Sequence, residues 1–221
     1  MTNETNKTEE KEPEFGVVYQ DVKGKLESAY VKTRFDMAME KLRSKGYRII
    51  TLSENAKLRM QEGEDAFISQ HGNWTAEDFI YLPGSYDNKP VYITKKLLIT
   101  QNAEKATECH RCYEEFCLSP EQVDYALEDA VQVKDTVIPT NRFGEDELTS
   151  FCFGKQAKAY GKFLKNAGLD KIEIYLDKHI WKPFARKVWF SGVCDRSGLC
   201  GNLTNLGSRN FETRGIREKA Q

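Results

Sequence analysis

Four cysteines have spacings that could hold a metal. Cys109-His110-Arg111-Cys112 is a CxxC enclosing a histidine, and Cys194 and Cys200 flank a glycine-containing loop. Close cysteine pairs build tetrahedral zinc sites, because each pair fixes two thiolates at low entropic cost. The neighbouring residues argue for a different role. On a single helix, Cys109, Cys112, Tyr113, Phe116 and Cys117 would share a face with Ala106, while Glu108, Arg111, Glu114 and Glu115 turn away. Thiols on such a stripe pack as small core residues. Cys194 and Cys200 also stand further apart than a usual ligand pair. The expectation is a core role with no cofactor, and zinc at Cys109, Cys112, Cys194 and Cys200 is the alternative. Cys152, between Phe151 and Phe153, reads as structural.

Acid–base chemistry has little to draw on. The histidines are His71, His110 and His179. His71 is the best general-base candidate, because it sits in a turn-forming stretch with Gly72 and Asn73 and follows Glu64 and Asp65 closely. Glu145-Asp146-Glu147 could bind a cation through oxygen, but acidic residues opening a helix satisfy its dipole, and that role is expected. Gly-x-Ser-x-Gly and His-Glu-x-x-His motifs are absent. A small enzyme of unidentified reaction, with a pocket near His71 or the Cys194–Cys200 loop, is therefore an alternative function.

The leading functional signal is charge. The chain has a net charge of −1, yet from Lys178 to Gln221 nine basic residues face three acidic ones, so the rest is strongly acidic. A basic end on an acidic body suits a polyanion or an acidic protein partner. On a helix expected over 181–191, Trp181, Phe184, Ala185, Val188 and Trp189 form an apolar face, with Lys182, Arg186 and Lys187 opposite. Nucleic-acid binding is the leading expectation: Lys182, Arg186, Lys187, Arg196, Arg209 and Arg214 would contact phosphates, and Phe190 would stack on a base. The Gly192, Gly198, Gly201 and Gly207 spacing fits neither a Walker loop nor a dinucleotide fingerprint. A protein-interaction adaptor is the third reading.

The elements that must position these residues interleave without a regular βαβ repeat, so an α+β class is expected. Helices are expected at about 26–45, 53–61, 103–118, 120–131 and 155–166, and strands at 47–52, 66–69, 79–82, 91–94 and 171–176. Ser119-Pro120-Glu121-Gln122 is a strong helix start, with a capping serine, proline at the first position and glutamine at the third. Ala159, Phe163 and Ala167 are expected to face the core. The chain divides into an acidic disordered tail (1–14), an α+β region (15–138), a second α+β region (139–190), with membership of the same domain as the alternative, and a glycine-rich loop with a basic tail (191–221). No apolar run reaches the roughly 18 residues of a membrane span, and the start lacks a signal-peptide core. A cytoplasmic setting without membrane contact is expected, which would keep the cysteines reduced.

Overall fold

The computed structural model describes residues 14–20, 26–84, 90–177, 180–193, 197–202 and 205–218. Residues 1–13, and with them most of the expected acidic tail, lie outside the described residues, as do His179, Cys194 and Arg196. The chain runs β1 (Glu14–Gln20), β2 (Leu26–Lys32), α1 (Phe35–Ser44), β3 (Arg48–Ile49), α2 (Leu52–Glu62), α3 (Phe67–Gln70), β4 (Asn73–Tyr81) and β5 (Val91–Thr94). It continues through α4 (Leu98–Gln101), α5 (Ala103–Arg111), β6 (Phe116–Cys117), α6 (Pro120–Leu127), β7 (Ala130–Gln132), β8 (Val137–Pro139), α7 (Glu147–Phe153) and α8 (Ala157–Asn166). Four strands close it: β9 (Lys171–Tyr175), β10 (Phe184–Phe190), β11 (Gly198–Cys200) and β12 (Glu212–Glu218). The class is α+β.

One sheet joins the strands in the order β1-β2-β12-β4-β10-β11-β9-β8, with β3 on β12, β5 on β4, β7 on β5 and β6 on β10. Strands from 15–138, 139–190 and 191–221 all contribute to it. Its two faces bury separate cores, as the alternation of β10 shows. Phe184, Val188 and Phe190 join the cluster under α2, α7 and α8, whereas Ala185 and Trp189 join the one under α1, α4 and α5.

The central strand β4 is buried along its whole length yet carries adjacent carboxylates. Because neighbouring strand residues face opposite ways, each carboxylate reaches a helix start on its own side. Both oxygens of Glu77 accept from the Leu52 amide of α2 at 3.1 Å, and Asp78 Oδ2 accepts from the Ile99 amide of α4 at 3.1 Å. Lys187, opposite Asp78 in register, donates to Asp78 Oδ1 (2.8 Å), the Ala76 carbonyl (2.7 Å) and Thr100 Oγ1 (2.8 Å).

Several expectations need correction. Residues 184–190 form a central strand: layers on both faces bury nearly every position, so polar and apolar residues do not alternate and the apolar ones fit a helical period. The stretch 191–221, read as loop and tail, supplies β11 and β12. The opening helix shortens to α1, since 26–32 pair with both β1 and β12. Residues 66–69, read as a strand, lie mostly in the short helix α3. Thr51, two residues before the expected Ser53, caps α2 in a reciprocal capping box with Glu54. Ser119 and Gln122 form the expected box, but α6 ends at Leu127 and Val131 is buried from β7. In α8 the buried face is Ala157, Tyr160, Gly161 and Leu164, and Ala159 is exposed. Asp146 caps α7 by accepting from the Thr149 amide at 2.8 Å, the role expected of that acidic run.

Candidate functional site

Helix α5 ends sooner than its apolar pattern suggests, and its ending builds one wall of a cleft. The Glu114 amide donates to the Cys109 carbonyl (2.8 Å) and the Tyr113 amide to the His110 carbonyl (3.2 Å). This is a Schellman ending, whose left-handed position normally holds glycine. Here it holds Tyr113, with φ of 59° and the residue 99% exposed. The stripe expected on one helix face is therefore split. Cys109 is half-buried, Cys112 is exposed at the cap, and Phe116 and Cys117 lie in β6.

The pairing of β6 with β10 carries Glu115 to Arg186. Arg186 Nε donates to Glu115 Oε2 at 3.1 Å, and Nη2 reaches Glu115 Oε1 as well as Asp177 Oδ2 at 2.8 Å. Its Nη1 donates to the carbonyls of Gly201 and Asn202, each at 3.2 Å. All five N–H donors are thereby engaged. Burial opposes the charge, but Glu115 and Asp177 outweigh it and hold the guanidinium above its ordinary pKa. Arg186 is thus a strut that ties the α5 turn, the end of β9 and the segment after β11 together. Gly201 fits beneath that segment because a Cβ there would collide with the Tyr81 hydroxyl and the Phe79 ring.

Between these walls lies a cleft of about 360 Å³, lined by Tyr113, His110, Glu114, Asn202 and Asn205 above the Arg186–Glu115 pair. A larger depression of about 950 Å³ lies between α1 and the α4–α5 turn. There Arg34 pairs with Asp36 at 2.9 Å, and Arg43 donates to the Thr100 carbonyl at 2.9 Å. Cations are satisfied within the protein at both sites, and what distinguishes the smaller cleft is the exposed Tyr113 held in a left-handed backbone position on its wall.

The expected phosphate contacts are not gathered on one surface. Lys182 and Arg209 are exposed. Arg186 is saturated, Lys187 is buried on Asp78, and Phe190 is buried against Tyr160, Phe153 and Arg59. Arg214 is buried with Glu212 at 3.6 Å, and desolvation lowers its pKa to about 10. His71 is exposed, stacks on Phe67 at 4.1 Å between centroids and lines neither cleft. Cys200 is buried in β11, and burial raises its thiol pKa, which disfavours the thiolate that a metal or a nucleophilic role needs. Among the described residues no group of three His, Cys, Asp or Glu side chains is placed to hold a metal.

The residues that sequence reasoning missed are Tyr113, Glu115, Asp177, Asn202 and Asn205. Tyr113 was read on the core-facing stripe, because the helical pattern through Cys117 concealed the turn that exposes it.

No family model matches this chain, and no curated protein does. A solved structure from Nanoarchaeota, described as accommodating massive sequence variation by the C-type lectin fold, is similar over 90% of this chain and 100% of its own. Its TM-score is 0.62 at 16% identity. This chain shares the C-type lectin fold. At that identity the likeness extends to architecture alone. Within the C-type lectin fold of this chain, Arg186 lies on strand β10 of the sheet and Tyr113 in the turn after α5.

Proposed function

We propose that this chain is a non-catalytic recognition module that binds a protein partner at the cleft between the α5 turn and the segment after β11. The observation that carries this reading is Tyr113, a fully exposed aromatic in a backbone position that favours glycine, beside a loop fixed by Arg186. Strained, exposed residues concentrate where function requires them. A tyrosine flanked by asparagines suits a protein-binding surface, in which a rigid ring supplies area and amides supply adaptable hydrogen bonds. The structural relative accommodates sequence variation, and such a scaffold suits binding residues carried on braced loops.

A phosphate-bearing partner is the second reading, favoured by the exposed cations Lys182 and Arg209. Binding in the cytoplasm fits both, with the cysteines reduced. No helix among the described residues is long and apolar enough to cross a membrane.

Quantitative affinity capture with wild-type protein and Tyr113→Ala, followed by titration of the enriched partner, tests the proposal. A loss of about tenfold or more in affinity is expected for Tyr113→Ala. Titration of labelled DNA and RNA in parallel covers the second reading. Nucleic-acid binding that ignores Tyr113 and falls steeply with salt would replace the first reading with the second.

A further inference from the structure

A basic surface does exist, on the part of the chain that sequence charge counts as acidic. Helix α8 carries Lys158, Lys162 and Lys165, and Lys155 precedes it by two residues. These spacings of three, four and three residues place the four amines along one helical face over about 15 Å. No acidic residue occurs from Gly154 to Leu169. All four lysines are exposed, and among the described residues no carboxylate pairs with them.

The lysines border a groove of about 460 Å³ between α8 and the turn Thr140–Arg142. Ala159 and the edge of Phe143 line it together with the methylene stems of the lysines, so its walls are apolar and its rim is cationic. The groove is narrow because α8 lies close against the turn: a Cβ on Gly161 would overlap the Thr140 carbonyl. One acid, Glu145, stands at the lip.

We infer that this groove docks an acidic, apolar-studded peptide segment of a partner protein in extended conformation. Extended chain advances about 3.3 Å per residue, so four or five residues span the lysine row. Acidic side chains would meet the ammonium rim while an intervening apolar side chain covers Ala159. Nucleic acid suits the groove less well. Its lining offers no exposed aromatic ring for a base to stack on and no arginine fork for base edges, since Arg142 of the turn is not among the lining residues, and a phosphate backbone has nothing apolar to set against Ala159. This surface uses none of the residues at the α5 cleft, so it stands or falls separately.

Fluorescence anisotropy at low and near-physiological salt tests the inference with three labelled probes: a Glu-rich peptide with interspersed leucines, an oligoglutamate of equal charge, and an oligothymidylate. Wild type should bind the leucine-bearing peptide several-fold more tightly than oligoglutamate. Lys158→Glu with Lys162→Glu should weaken it by about tenfold or more, Ala159→Asp should erase the preference for leucine, and Tyr113→Ala should change nothing. Thermal midpoints confirm that these exposed substitutions leave the fold intact. Unchanged affinity in the double lysine variant, equal binding of the two peptides, or tighter binding of oligothymidylate would each overturn the inference.

Discussion

Tyr113 sets folding against recognition at a single backbone position. A left-handed conformation costs an ordinary L-residue about 1–2 kcal/mol, and glycine adopts it freely. Tyr113→Gly should therefore raise stability by up to about 1 kcal/mol in urea unfolding while it abolishes partner binding. A variant that loses both would make Tyr113 merely structural. Glu77 provides a second test at this scale. Burial pushes its pKa from the ordinary 4.5 up to about 7, and that of Glu62 likewise. Between those values the folded protein keeps protons that the unfolded chain has released, so stability falls as pH rises from about 4.5 to 7 and then levels. Glu77→Gln should flatten part of that decline, measured as the urea midpoint against pH, and Glu62 should account for a remainder.

Among the elements, those legible in the sequence were the ones whose ends carry local chemistry. Ser119 and Gln122 announce α6, and Gly63 and Gly168 adopt the positive φ that ends α2 and follows α8. The α1 stripe of Phe35, Ala38, Met39 and Leu42 is buried as its spacing demands. Strand β10 was illegible because its polar residues find partners far along the chain. Nothing near Lys187 reveals Asp78, and nothing near Arg186 reveals Glu115 and Asp177, so both cations read as solvent-facing. The candidate cleft was hidden for the same reason. Lys187 now predicts a large effect. Lys187→Met leaves Asp78 charged and buried with the Ile99 and Leu98 amides but no cation to face it, which should cost about 3–5 kcal/mol. Adding Asp78→Asn should recover part of that loss in urea midpoints, and a double variant no better than the single would show that the pair is not the cause.

At the level of the whole molecule, charge and geometry separate. The sequence places its positive excess at one end, but folding draws Arg186, Lys187 and Arg214 inward and leaves a cationic face on α8 instead. Sequence dipoles of this kind report surface potential only when the charges stay outside. The order of the strands has another consequence. β12 pairs with β2 through seven residue positions and touches β4 at Thr213, so it joins the first hairpin to the central strand. Such long-range pairing is slow to form. During synthesis, the ribosome must release residues 212–218 before β2 can be linked to β4 through them. Until then the edge of β2 and the Trp74 end of β4 remain open, and nascent chains would need shelter from mutual strand pairing. A message cut short before β12 would yield protein that cellular quality control could recognise by those edges.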